Sequence, residues 1–96
     1  VTDIKLPVDY TKLKPYEKKT IREEYVRIQN GLCAFCKNPL SGPATEKVMG
    51  KTINNKLFPI GFFNAPIHLH HNHDTGMTIG AIHSRCNAYL WQYHGE

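Results

Sequence analysis

The chain is short of acidic side chains, has no long apolar run and carries an odd number of cysteines. Eight Asp and Glu stand against twelve Lys and Arg, a formal charge of +4, which favours a polyanionic partner. No segment approaches the roughly 18 apolar residues of a membrane span. The first residues, Val1-Thr2-Asp3, have neither the basic nor the apolar region of a signal peptide. A soluble, cytoplasmic protein without membrane contact is expected, and the missing initiator Met suits a processed or trimmed product. Three cysteines, Cys33, Cys36 and Cys86, cannot all pair, and two of them form a Cys-x-x-Cys, so a secreted disulfide framework is a poor explanation. Internal repeats and low-complexity tracts are also missing.

What is there fits one small globular domain: 96 residues, 41% apolar and 10% aromatic. A chain of this length buries only about two-thirds of the surface it would expose unfolded, so its core calls for a staple. The charge is unevenly spread. Residues 1–56 hold eleven of the twelve basic residues, while 57–96 hold only Arg85 but all six histidines.

Residues 1–15 contain Pro7 and Pro15 and show no sustained periodicity, which predicts an extended arm whose Lys5, Lys12 and Lys14 either track a phosphate backbone or belong to a solvated, partly ordered terminus. From Tyr16 to about Asn30 the spacing of Ile21, Tyr25, Ile28 and Leu32 predicts a helix with one core-facing side. Lys19/Glu23 and Glu23/Arg27 are i, i+4 pairs, and Lys18 and Arg22 fall on the outer surface, as DNA contacts or simply as solvated charges. Cys33 to Leu40 reads as a tight metal knuckle. The 44–66 segment is poorly patterned, with short strands expected near 57–63. Ile67–His71, a turn at Asp74-Thr75-Gly76 and Met77–Ile82 predict a β-hairpin. Ser84 can cap a final helix through Cys86, Leu90 and Tyr93, stopped by Gly95.

Cys33-x2-Cys36 and His83-x2-Cys86 are two half-sites with the gap that lets a knuckle or a first helical turn aim two ligands at one ion. Together they make a closed Cys3His set that suits structural tetrahedral Zn2+ and uses every cysteine. Buried thiols beside a core histidine would leave the small core without its staple. A redox Cys-x-x-Cys lacks a βαβ setting. A Cys2His2 finger fails because the first histidine after Cys36 is His68, and a zinc deaminase needs a His-x-Glu that is not present.

His68-Leu69-His70-His71-Asn72-His73 packs four imidazoles into six residues; the bland alternative is a solvated or adventitiously nickel-binding tract. Adjacent side chains on a strand face opposite ways, so His70 can hold a metal on one side of a bound phosphate while His71 deprotonates a water on the other. Three blocks carry a resemblance: Gln29-Asn30-Gly31-Leu32-Cys33-x-x-Cys36, His70-His71-Asn72-His73-Asp74-Thr75-Gly76, and Ile82-His83-Ser84-Arg85-Cys86-Asn87-Ala88-Tyr89-Leu90. In this order they resemble the HNH, or ββα-metal, endonucleases, in particular small phage members of the recombination-endonuclease VII group.

The resemblance implies an α+β fold: a zinc-stabilised, treble-clef-like ββα-metal core with an N-terminal helix, as one nuclease domain over 16–96 behind the 1–15 arm. It implies His70 and Asn87 as ligands of a catalytic divalent ion, Mg2+ or another, His71 as general base, and His73 as an accessory phosphate contact or orienting group. Asn87 is otherwise a plain polar helix residue. Asn72 stands where Asp is common in the group, and the middle Asn that braces the loop in many members has no clear counterpart. Trp91 occupies a position where some relatives carry a further metal-binding His, and His94 is read as a polar residue of the helix end. Arg85, beside both metal sites, is a phosphate contact or a plain surface arginine. The implied activity is DNA hydrolysis, nicking in the sense that one such site cuts one strand, leaving 5′-phosphate and 3′-hydroxyl ends. The implied setting is a phage-infected bacterial cytoplasm, with a monomer or weak dimer acting on DNA. The rivals are a zinc-stabilised DNA-binding module without catalysis and an accessory factor of a phage packaging or replication machine.

Overall fold

The computed structural model describes residues 5–94, an α+β arrangement built on one hairpin. Strand β1 (Ile67–His71) pairs antiparallel with β2 (Thr78–His83), and β2 runs without a loop into helix α3 (Ser84–His94). Helix α1 (Pro15–Ile28) packs on both strands, and a single-turn helix, α2 (Glu46–Met49), packs on α3. The core gathers Ile21 and Tyr25 of α1, Leu40, Val48, Leu69, Ala81, Ile82, Tyr89 and Leu90 around buried Cys33 and Cys86.

Helix α1 starts one residue earlier than expected. Pro15 is inside its first turn, where the missing N–H costs nothing, and the Glu17 side chain accepts from the Lys14 N–H at 3.0 Å. Of the expected apolar face only Ile21 and Tyr25 are buried; Ile28 and Leu32 are exposed, and half-buried Val26 packs on the core instead. The helix ends at Ile28, so its face does not extend to Leu32, which bridges to Pro39 across the knuckle. The surface ion pair is Glu24–Arg27 rather than Glu23–Arg27.

The arm is docked, not free. Val8 and Thr78 exchange hydrogen bonds, Asp9 bridges to Met77, and Tyr10 N–H donates to the Gly76 carbonyl at 2.8 Å. A 3-10 turn at Tyr10–Lys12, capped by Asp9, then leads to α1. Leu6, Val8, Tyr10 and Leu13 supply the apolar contacts that an extended, solvated arm would lack. Residues 1–4, part of that predicted arm, and the stop predicted at Gly95 lie outside the described residues.

No strand forms over 57–63: a 3-10 turn at Asn55–Leu57 is followed by tight turns closed by Phe62 N–H to Pro59 O and Asn64 N–H to Gly61 O. Pro59 has no N–H for a ladder and Gly61 takes a φ of 84°, so this stretch turns instead of extending. The 44–66 segment is tied to α3 by side chains. Arg85 donates to the Lys51 carbonyl at 2.8 Å, Gln92 contacts both Thr52 and Asn54, and the Tyr93 hydroxyl donates to Thr52. Ser84 is the first residue of α3, and its N–H donates to Pro66 O rather than its side chain capping the helix.

Gln29 substitutes for a third strand. Its amide accepts from Ala81 N–H and donates to the Ala81 and Leu32 carbonyls, each at 2.7–2.9 Å. This contact is close because Gly80 has no side chain: a Cβ there would lie 2.8 Å from Gln29 Oε1 and 2.9 Å from Ala34 Cβ. Gly80→Ala should therefore destabilise the zinc-loaded protein by roughly 1–3 kcal/mol, the usual cost of overpacking. Urea unfolding checks this, and a midpoint equal to the parent's would refute the close approach.

Candidate functional site

Two constellations share the hairpin. The first is the Cys3His group, whose four donor atoms lie within 4.8 Å of one another. Cys33 and Cys36 stand on the knuckle, where Phe35 N–H points at Cys33 Sγ (3.4 Å) and Lys37 takes a left-handed φ of 71° to close the turn. His83 ends β2 and Cys86 lies one helical turn later, so the loopless strand-to-helix junction sets their spacing. Cys33 Sγ is 3.7 Å from Cys86 Sγ, and His83 Nδ1 is 3.4 Å from Cys36 Sγ and 3.6 Å from Cys86 Sγ.

Those separations discriminate between chemistries. A disulfide needs its sulfurs at about 2.05 Å. A tetrahedron with arms of ~2.3 Å to sulfur and ~2.0 Å to nitrogen has S···S edges near 3.8 Å and S···N edges near 3.5 Å. These three separations match edges of such a tetrahedron, and all four donors stay within 4.8 Å of one another. His83 Nε2 donates to the Pro39 carbonyl at 2.9 Å, which leaves Nδ1 as the lone-pair donor and fixes the ring, as metal-bound histidines require. The contact between the two thiols holds Cys33 down at about 4, whereas the same contact and burial push the Cys86 thiol up. The donor set fits a metal such as zinc, and an ion would take all three sulfurs as thiolates.

The second constellation lines a cleft of about 600 Å³. Its walls come from β1 (His68, His70, His71), the turn after it (His73), α3 (Asn87, Trp91), α1 (Lys18, Arg22), the docked arm (Tyr10) and the 57–65 turns. Among the described residues, no Asp or Glu lines it. The sequence-derived candidates His70, His71, His73 and Asn87 thus meet in one place, with His70 buried at 7% exposure. Lys18 and Arg22, expected on the outer surface, are half-buried and turned into this cleft, because α1 lies along β1. Lys12 and Lys14 are exposed outside it. Arg85 is absent from the lining too; its guanidinium is occupied with the carbonyls of Lys51 and Met49, so it anchors the 44–66 segment. His94 packs on Tyr89, away from the cleft.

His68, which no sequence motif distinguishes from its neighbours, organises the α3 side. Its Nε2 donates to the Phe62 carbonyl at 2.8 Å, so its Nδ1 is the acceptor for the Asn87 amide at 3.1 Å. With the Asn87 nitrogen engaged, its Oδ1 is the atom available to a cation. Burial, reinforced by the Arg22 charge, keeps His68 below its ordinary range and therefore neutral.

His71 lies face to face with Tyr10, ring centroids 3.9 Å apart and planes 6° from parallel, and Lys18 Nζ sits 4.4 Å from the Tyr10 centroid. His73 follows at 4.9 Å from His71. Burial first, then the neighbouring His73, His70 and Lys18 charges, push the His71 imidazole below its usual 6.5. Asn72, between them, braces the hairpin turn. Its Oδ1 accepts from the Asp74 and Thr75 N–H groups at 2.8 and 3.0 Å, and its carbonyl accepts from Gly76, whose φ of 78° the turn needs.

Comparison with protein-family models, with curated proteins and with solved structures returned no significant match. The case for the site therefore rests on its own geometry. Among the described residues, no helix is long and apolar enough to cross a membrane.

Two outcomes follow. Cys33→Ser or Cys86→Ser should unfold the domain and abolish stoichiometric zinc by elemental analysis, whereas His70→Ala should stay folded with its zinc. Equal stability in all three would refute a structural metal confined to the Cys3His group. Tyr10→Ala should shift the His71 ring proton resonances by removing the stacked ring current, while Tyr10→Phe should leave them nearly in place; insensitivity to both would refute the stack.

Proposed function

We propose that the protein is a metal-dependent DNA endonuclease of the HNH kind, with β1, β2 and α3 as its ββα-metal core and the Cys3His group as its structural zinc site. The observation that carries this reading is the convergence of His70, His71, His73 and Asn87 with Lys18 and Arg22 on one carboxylate-free cleft. A cleft of that sign attracts a phosphodiester, and Lys18 and Arg22 would hold its nonbridging oxygens.

His71 then acts as general base. Its pKa is depressed, so the imidazole is neutral at physiological pH and can take the proton of the attacking water. Tyr10 fixes its plane and His73 stands beside it to orient it or to contact phosphate. The products are a 5′-phosphate and a 3′-hydroxyl, one strand per encounter. A divalent cation held by His70 and Asn87 would supply charge stabilisation at the scissile phosphate and its leaving oxygen. One imidazole and one amide oxygen form a softer donor set than the carboxylates that Mg2+ usually takes. The donors therefore fit a transition-metal ion that accepts imidazole, Ni2+ readily and Mn2+ more weakly, better than Mg2+.

Incubation of supercoiled plasmid with the purified protein and each of these ions should convert it to the open circle, faster with Mn2+ or Ni2+ than with Mg2+. His71→Ala should abolish nicking while DNA binding persists. Binding without cleavage under every ion would instead leave a zinc-stabilised DNA-binding module, and unaltered cleavage by His71→Ala would overturn the base assignment.

The pH dependence has a definite sign. A base whose pKa is lowered on folding is fully available above that value and is lost as pH falls through it. The acid limb of the kcat/KM profile should therefore have its midpoint below the ordinary imidazole value of 6.5, with the rate level on the alkaline side of that limb. A decline that begins well above neutrality would contradict the depressed imidazole.

A further inference from the structure

The turn at Pro59–Phe62 has features the cleft chemistry does not use. Ile60 at its tip is fully exposed, at 106% of the reference area. It is not a stray surface residue, because Leu57, Phe63 and Trp91 are exposed as well. Beneath them Phe58 contacts Phe62 (4.7 Å), Phe63 (5.9 Å) and Trp91 (5.7 Å), so the tip stands on a packed aromatic base. Its conformation is held by the Phe62 N–H to Pro59 O and Asn64 N–H to Gly61 O bonds, with Gly61 at a φ of 84°. The base is also joined to the site, since Phe62 meets His68 both through its carbonyl and ring to ring at 4.7 Å.

We propose that this turn is a wedge for DNA, with Ile60 entering the base stack next to the phosphate held in the cleft; the proposal rests on the cleft being a DNA site. Three observations favour a nucleic acid over other occupants. Leu57, Phe58, Pro59 and Phe62 line the same cleft as Lys18 and Arg22, so a polyanion drawn to the cations meets the apolar tip. Proteins that kink duplexes insert apolar side chains of this type, including Ile and Pro, between base steps. The wedge is also pre-ordered, so little conformational freedom is lost on insertion. Opening one base step would bend the duplex and give β1 and the Asn87 face of α3 access to a single backbone strand.

The test uses duplexes carrying 2-aminopurine at one position each, mixed with the zinc-loaded protein without added divalent ion. A separate end label reports binding by anisotropy. The parent protein should raise 2-aminopurine emission several-fold at one position or two adjacent ones. Ile60→Ser should still bind with the same salt dependence, stay folded with its zinc, and lose that rise; Ile60→Leu should keep it. Binding without a rise at any position, or a rise unchanged in Ile60→Ser, overturns the wedge and leaves the nuclease reading standing. An absence of DNA binding overturns both. Unstacking by a protein that never cleaves upholds the wedge alone. If sedimentation shows self-association that Ile60→Ser abolishes, and no unstacking occurs, the patch belongs to a second copy of the chain and the wedge is wrong.

Discussion

The tetrahedral spacing of Cys33, Cys36, His83 and Cys86 is the constraint on which the other features of this small domain depend. It joins the knuckle after α1 to the junction between β2 and α3, two regions 47 residues apart in the Cys36–His83 pair. Metal binding at cysteine-rich sites of this kind is worth on the order of 10 kcal/mol at neutral pH, comparable with the whole net stability of a typical domain at about 5–15 kcal/mol. A core limited to a dozen or so buried apolar side chains gains its rigidity from such a staple. Gln29 and the bare Gly80 edge carry that rigidity into β2, because the knuckle approaches the strand only where no side chain intervenes.

From this anchor the cleft is built in layers. The strand β2 is held at its end by His83, so the register of β1 and the bulge between His70 and His71 follow from the pairing. Helix α3 leaves the same junction without a loop, which sets Asn87 one residue past the last cysteine on the cleft side. His68 then links Asn87 to the 57–65 turns, and Tyr10 links His71 to the arm. His68 and His71 are therefore each positioned by a partner from a different part of the chain.

Electrostatics gives the cleft its character. Burial first, and then neighbouring positive charge from Arg22 on His68 and from His73, His70 and Lys18 on His71, disfavour protonation of these two imidazoles, and among the described residues no carboxylate lines the cleft to offset this. Neutral imidazoles can accept a proton or hold a cation, and unpaired basic groups can grip an anion. Both properties arise from one choice, which is to leave acidic residues out of the lining.

The local elements were legible in the chain itself. The Cys-x2-Cys and His-x2-Cys gaps encode donor spacing directly, because each half-site is a single turn whose geometry does not depend on the remainder of the fold. The hairpin and α3 follow from short-range periodicity and turn chemistry for the same reason, and Asn72 was visible as an oddity though not as the brace of its own turn. Tertiary structure decided what depends on long-range contact. It docked the arm so that Tyr10 covers His71, turned Lys18 and Arg22 inward along β1, and engaged Arg85 with the 44–66 backbone. It also made His68 the partner of Asn87. A side chain's partner depends on which distant surface the packing brings to it, and no local pattern records that.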